Sequence, residues 1–586
     1  MIKINKAAIY HRPGNQFSYS DFDNFINIQI NTQRDDIKSI YLYYGDPNDF
    51  NGGEWSYRKL SLSLEGQSKL HAYWTTKVNT EHYRLRYYFE LIDLDSNVFY
   101  YDEKGLHEEP SKNINSFFSF PYIHHIDTFS APEWVKSTVW YQIFPDRFYN
   151  SKADNDDLQN WGKSPPTFTS FFGGNLNGIE QKLDYLAEMG INGIYLCPIF
   201  HSPSNHKYDT VDYFEIDQQF GSKQDLKNLI ETCHKKGIKV MLDAVFNHTS
   251  EYFSPFIDLS KKQEHSIYKD WFHVIRYQSN SSKYFEYETF GYEKHMPKLN
   301  TSNSEVKEYL FSIAKYWVSD FDIDGWRLDV ANEIDHSFWR EFRNEVKNTK
   351  KDVYILGEVW HDAMPWLQGD QFDGVMNYPI YDLIIDFFVK NRINTEAFIN
   401  GITDYLYKYP RNVLINNFNI IGSHDTARIM TLSKNNIGRV KLAYTFLFSF
   451  IGTPCIYYGD EIGMTGGNDP DCRACMEWSI EKQNATLLAF IKKIIAIRKQ
   501  HVLFGNEGKF TFYNSPNDVI VYEKKNKINQ LIFCLNNSSK KEKVIIPELA
   551  EKNTIDLFTN KNINLKENGM IELAPFETLC LKILDE

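Results

Sequence analysis

The sequence predicts an α/β fold: a (β/α)8 barrel with an inserted loop domain, flanked by an N-terminal β-sandwich and a C-terminal β-sandwich domain. Three observations predict it. Eight short apolar runs alternate with helical patterns through the middle of the chain, as buried parallel strands and their return helices do. Both ends of the chain instead alternate apolar and polar residues in short stretches broken by Asn, Gly and Asp. One connection in the middle region runs about 50 residues, beyond an ordinary loop.

The N-terminal stretches are INIQI, SIYLYYG, HYRLRYYFELID and NVFYYD, and they place an antiparallel sandwich over residues 1–125. The catalytic-sized region is 126–502. Its runs are TVWYQIFP (138–145), INGIYLCP (191–198), IKVMLDAVFNH (238–248), IDGWRLDV (323–330), VYILGEVW (353–360), DGVMNYP (373–379), NNFNIIGSHD (416–425) and CIYYGDE (455–461). Between them lie helix patterns such as LKNLIETCHKKG (226–237), with Leu226, Leu229, Ile230 and Cys233 on one face and Gly237 as a stop. The long connection after the third run is read as an inserted domain at about 247–301. From 503 to 586 the strands return in KFTFY, VIVYEKK, LIFCLN, KVIIP and LCLKIL.

Composition narrows the function classes. The 586 residues are 42% hydrophobic and 24% charged, an ordinary soluble balance, with a net charge of −13. No basic run of the nucleic-acid kind occurs, so no nucleic-acid partner is expected. Aromatics reach 16%, which serves either a large core or the stacking of sugar rings. Seven scattered Cys argue against a disulfide framework, and Cys472 and Cys475 read as loop thiols. No run of 18 uncharged apolar residues exists, and MIKINKAAIYHRPGNQ does not read as a signal peptide. A cytoplasmic location without a membrane partner is therefore expected, where only small imported substrates arrive.

Polar residues crowd the ends of the apolar runs. The third ends in Asp243, Asn247 and His248, the fourth in Arg327 and Asp329, the fifth in Glu358 and Trp360, the seventh in His424 and Asp425. In a barrel these positions meet at the C-terminal face, where active sites are built. Cleaving a glycosidic bond with retention needs two carboxyls about 5–5.5 Å apart, one ionised and one protonated. Asp329 and Glu358, on adjacent strands, can supply that spacing. Arg327 leaves the same strand face as Asp329, so its guanidinium is expected to keep Asp329 ionised.

The segments DAVFNH (243–248), GWRLDVANE (325–333), GEVWH (357–361) and IIGSHDT (420–426) resemble, in order and separation, the four signature regions of the α-amylase superfamily of glycoside hydrolases, family 13. The resemblance covers roughly residues 130–500 and implies a TIM-barrel enzyme. Within the superfamily, MPKLN (296–300), VANE (330–333), HKYDT (206–210) and GGNDPDCR (466–473) resemble the cyclomaltodextrinase, neopullulanase and maltogenic amylase group.

That resemblance implies roles. Asp329 is the nucleophile, Glu358 the acid/base, and Asp425 holds hydroxyls of the distorted sugar. Arg327, His248 and His424 bind the cleaved residue and Tyr208 stacks on it. Phe290, Trp360 and Glu333 line the acceptor side, Asp469 and Arg473 the donor side. The expected reaction is hydrolysis of α-1,4 bonds in cyclomaltodextrins, maltooligosaccharides and pullulan, with α-1,6 bonds as a further target; a 4-α-glucanotransferase or other transglycosylase is the alternative. The family often carries Ca2+ near the first barrel loop, which here offers Asn150, Asn155 and Asp156. Lys152 and Asn175 stand where two carboxylates are expected, so no cofactor is required and any Ca2+ is held weakly. A homodimer through the N-terminal domain is the remaining expectation.

Overall fold

The computed structural model describes residues 4–584 apart from 22–24, 81, 153–160, 279–284, 517, 566 and 567. Its centre is a ring of parallel strands: Trp140–Ile143 (β1), Gly193–Leu196 (β2), Lys239–Ala244 (β3), Gly325–Leu328 (β4), Tyr354–Gly357 (β5), Gly374–Val375 (β6), Phe418–Asn419 (β7) and Thr453–Tyr457 (β8). Each overlaps one of the apolar runs. Successive strands pair in order, β8 returns to β1, and a parallel bridge between Met376 and Phe418 closes the ring between β6 and β7. Trp140, Tyr195, Met241, Tyr354, Leu356 and Phe418 fill the interior without solvent exposure, so the barrel is a packed core and not a pore.

The helices form where periodicity and caps coincide. In Lys223–Lys235, Ser222 and Asp225 make a reciprocal capping box, and Leu226, Leu229, Ile230 and Cys233 are buried against the barrel. The chain then reverses through Gly237 at φ +70°, a region where a side chain is strained. After β3 the inserted segment contributes the helix Ser254–Lys262 and a ribbon of Val274–Arg276 on Glu286–Tyr287. It returns to the barrel through antiparallel bridges, among them His248 with Lys298.

The N-terminal region is two packed antiparallel sheets. One holds Ser18–Ser20, Phe25–Gln33, His71–Asn79 and Ser63–Gln67; the other is built on Ile37–Gly45 and Leu85–Asp93. Ile28, Ile30, Ile40, Leu42, Phe89 and Leu91 face one another between them. This sandwich docks on the helix Thr395–Leu406 and the turn after it: Tyr73 donates to Asp404 at 2.6 Å and stacks on Tyr407 with centroids 4.6 Å apart. Among the described residues, the C-terminal region is a six-stranded sheet beside a two-stranded one. Lys524, fully buried on its strand Val519–Lys525, donates to the Ser449, Phe504 and Gly505 carbonyls and so ties that sheet to the end of the barrel helix Ile437–Ser449. Among the described residues no helix is long and apolar enough to cross a membrane.

Candidate active site

Strand register assembles the centre. β3 and β4 align Asp243 with Arg327, and β4 and β5 align Arg327 with Leu356, two residues before Glu358. Arg327 Nη1 reaches Asp243 Oδ1 at 3.0 Å and Asp329 Oδ1 at 2.7 Å, and Nη2 reaches Glu358 Oε2 at 2.8 Å. One buried guanidinium therefore serves three carboxyls on three adjacent strand ends. Glu358 is further held by the Val330 backbone N–H at 2.9 Å and the Trp360 indole N–H at 3.0 Å. Val330 adopts φ +45°, ψ +44°, uncommon for a β-branched residue, and so turns its N–H onto Glu358 directly after Asp329.

Above this floor is a cavity of about 420 Å³. Asp329, Glu358, Asp425, Tyr208, His248, His424, Phe290, Trp360, Asp469 and Arg473 all line it. Tyr208 donates to Asp243 at 3.0 Å and lies 2.7 Å from His424 Nε2, while the Gln142 carboxamide meets His424 Nδ1 at 2.7 Å. Tyr208 and His424 stack nearly parallel, 6° apart. On one side Arg473 pairs with Asp469 at 3.1 Å and Asp425 at 3.4 Å. On the other Phe290 stacks on His248 at 4.8 Å. His248 Nε2 is buried with no partner among the described residues, a position that a ligand hydroxyl can satisfy.

Burial dominates the electrostatics. It pushes Asp243 up to about 6 against the pull of Arg327. It also raises Asp329 well above the ordinary carboxyl value, against the pull of Arg327 and reinforced by Glu358 and Asp243. The expectation that Arg327 keeps Asp329 ionised is thus incomplete: its pull is opposed by burial and by the neighbouring Glu358 and Asp243 carboxyls. Burial lowers His248 to about 3 and His424 well below the usual imidazole value, which keeps both rings neutral.

Other singled-out residues lie elsewhere. Arg327 sits beneath the cavity. Glu333 does not line it; Lys298 pairs with its carboxylate at 3.3 Å and also reaches Asn247. Asn155 and Asp156 fall outside the described residues. Asn150 Oδ1 accepts the Lys152 N–H at 2.9 Å, and Asn175 Oδ1 caps the helix Leu176–Gln181 through the Gly178 N–H at 2.8 Å. The described part of this loop thus brings no carboxylate to an ion, and its amide oxygens already accept hydrogen bonds, a donor set that fits Ca2+ poorly. His206, Met296, Val330 and Asn332 line the cavity without having been singled out. HKYDT and VANE lie at or next to His206, Val330 and Asn332, and MPKLN begins at Met296, so each was within reach.

Comparison with known proteins decides the family. Residues 142–490 match the α-amylase catalytic domain model, and 4–124 match the N-terminal Ig-like domain of α-amylases. The chain belongs to the α-amylase family. It is a glycoside hydrolase, as its relatives are. A maltogenic α-amylase of Bacillus acidopullulyticus is 47% identical over 578 residues, covering 97% of this chain and 98% of that one. An intracellular maltogenic amylase of Bacillus subtilis (strain 168) is 41% identical, covering 98% of each. A solved cyclomaltodextrinase superposes with a TM-score of 0.92 at 38% identity, covering 99% of this chain and 100% of that one. These α-amylase family relatives span all three regions of the fold.

Proposed function

We propose that this enzyme is a retaining α-glucan hydrolase that cleaves α-1,4 bonds in cyclomaltodextrins, maltooligosaccharides and pullulan. The observation that carries the reading is the pair Asp329 and Glu358, held on one buried guanidinium at the floor of the cavity. Two carboxyls gathered on the two Nη nitrogens of one guanidinium suit double displacement, whereas an inverting pair needs room for water between them. Asp329 attacks the anomeric carbon while the protonated Glu358 gives its proton to the departing oxygen. Water then attacks the glycosyl-Asp329 ester, and Glu358 takes the water's proton, restoring both acids. Asp425, His424 and His248 hold hydroxyls of the sugar being cleaved, and Tyr208 stacks on it. Trp360 and Phe290 offer aromatic faces to the acceptor, so transfer to a sugar accompanies hydrolysis. No Ca2+ is required.

Substrate size follows from assembly. No described residue of the N-terminal sandwich lines the cavity of its own chain, yet Tyr57 stands exposed beside Tyr43 of its larger sheet, and the loops of the barrel expose Phe168, Phe171 and Tyr292. Two copies that exchange these faces form a homodimer whose sandwiches narrow each other's cavity, admitting rings and short chains in the cytoplasm and excluding starch. The test compares rates on β-cyclodextrin and soluble starch before and after deletion of residues 1–125, beside sedimentation of the full chain. A dimer that strongly favours cyclodextrin and loses that preference on truncation is expected. A monomer, or a truncated enzyme with unchanged selectivity, contradicts it.

A further inference from the structure

A second buried ion pair lies behind the wall that carries His424 and Asp425. Arg428 ends the loop that follows β7, and Asp460 follows β8; neither is more than 1% exposed. Arg428 Nη1 donates to Asp460 Oδ1 at 2.9 Å and to the Tyr458 carbonyl at 2.7 Å, with its guanidinium 4.6 and 4.9 Å from the rings of Tyr457 and Tyr458. The other oxygen of the same carboxylate packs on the start of the loop: a Cβ on Gly422 would stand 2.6 Å from Asp460 Oδ2. One carboxylate therefore touches the loop at both ends, and His424 and Asp425 lie between those contacts. The Arg428 backbone N–H also donates to the Gly466 carbonyl at 3.1 Å, which ties in the segment bearing Asp469 and Arg473.

The pair is poorly built for stability. Arg428 Nε and Nη2 and Asp460 Oδ2 are buried with no hydrogen-bond partner among the described residues. A buried pair with unmet hydrogen-bonding positions is generally no better than apolar groups of the same shape. What it does well is fix the backbone between Gly422 and Arg428. The Asp425 side chain needs that, because the side chains that restrain it stand no nearer than 3.3 Å for His424 and 3.4 Å for Arg473.

We propose that Arg428 and Asp460 are positioning residues, a clasp that holds the His424–Asp425 loop in register with Asp329 and Glu358. The inference rests on the reading that Asp425 and His424 bind the sugar at the cleaved bond. The test is an apolar replacement of the pair, Arg428→Met with Asp460→Leu in one variant, assayed on β-cyclodextrin beside thermal denaturation. The melting temperature stays near or above wild type. Because the misplaced groups act in the transition state, kcat falls about 10- to 100-fold while KM changes less than about 3-fold. Asp460→Asn, which keeps the shape, loses about 3- to 10-fold in kcat and decides the matter if the double variant does not fold. Asp425→Asn separates the two ideas. If it keeps wild-type turnover, the reading of the site fails. If it is inactive while folded clasp variants keep kcat within about twofold, the clasp fails. A loss of kcat that vanishes when assays run further below the variant's melting temperature also overturns it.

Discussion

At the N-terminal end of the barrel, Asp324 and Asp373 are each met by more than one cation; at the C-terminal end, Asp243, Asp329 and Glu358 share Arg327. Asp324 takes His234 at 2.7 Å, Lys239 at 2.8 Å and Lys350 at 3.3 Å, and Asp373 takes Arg343 and Lys347, both at 2.7 Å. Burial would raise both carboxyls, but the cations and backbone N–H groups around them outweigh it and hold them below the ordinary range. At the other end burial wins and Asp243 and Asp329 are raised. The same fold thus satisfies its carboxylates where it needs rigidity and leaves them under-neutralised where it needs a proton to move. That is the division between the two faces of such barrels, and the bottom face shows how many cations full satisfaction takes.

The comparison breaks most visibly at Asp329. Asp329→Asn keeps the volume and removes the attacking charge, so kcat falls by about 10⁴-fold or more. Its stability holds or rises at neutral pH. A carboxyl whose folded pKa is raised loses stability as pH climbs through that value, and Asn abolishes the loss. Kinetics and thermal denaturation on one preparation check both signs.

Asp324→Asn is the mirror experiment. Turnover is unchanged, and stability falls by about 2–3 kcal/mol, the partly exposed Lys239 and Lys350 reducing the usual loss from a broken buried pair. The folded pKa here is depressed, so its stabilisation is present above the unfolded value of about 3.9 and fades as pH falls below it. Melting curves of wild type and variant should converge in acid and separate at neutral pH.

A smaller effect belongs to Asp243. With its carboxyl pushed up to about 6, it takes a proton as pH drops through that value and loosens its hold on Arg327. The acid limb of kcat/KM near pH 6 therefore flattens in Asp243→Asn, in pH–rate profiles of both enzymes. Smallest of all is the response to chelation: EDTA moves the melting temperature by less than about 2 °C. A drop of many degrees that Ca2+ reverses would contradict the reading of the Asn150 loop.

What was legible in the sequence follows from which residues break a pattern. An apolar run that stops on Asp243, Asp329, Glu358 or Asp425 violates hydrophobic alternation, and the register of a parallel barrel then gathers these ends whatever the loops do. His206, Met296 and Asn332 reach the cavity from loops whose path depends on tertiary contacts; HKYDT, MPKLN and VANE contain them, but nothing within those motifs says which of their residues faces the cavity. Gln142 and Tyr195 sit inside apolar runs, where a polar side chain reads as tolerated core until its partner is seen. Asn175 shows the reverse difficulty: an amide oxygen serves a metal or a helix N-terminus equally well, and only the backbone decides. Arg428 and Asp460 are 32 positions apart and lie on different strand–loop units, so nothing short of the fold pairs them.

The central claim is that Asp329 and Glu358, sharing one guanidinium, act by double displacement. Proton NMR of β-cyclodextrin or a maltooligosaccharide during the first turnovers tests it most directly, because the anomeric signal of the new reducing end appears before mutarotation. The account predicts the α anomer first, with β growing in later. Initial release of the β anomer would mean a single displacement by water and would contradict it.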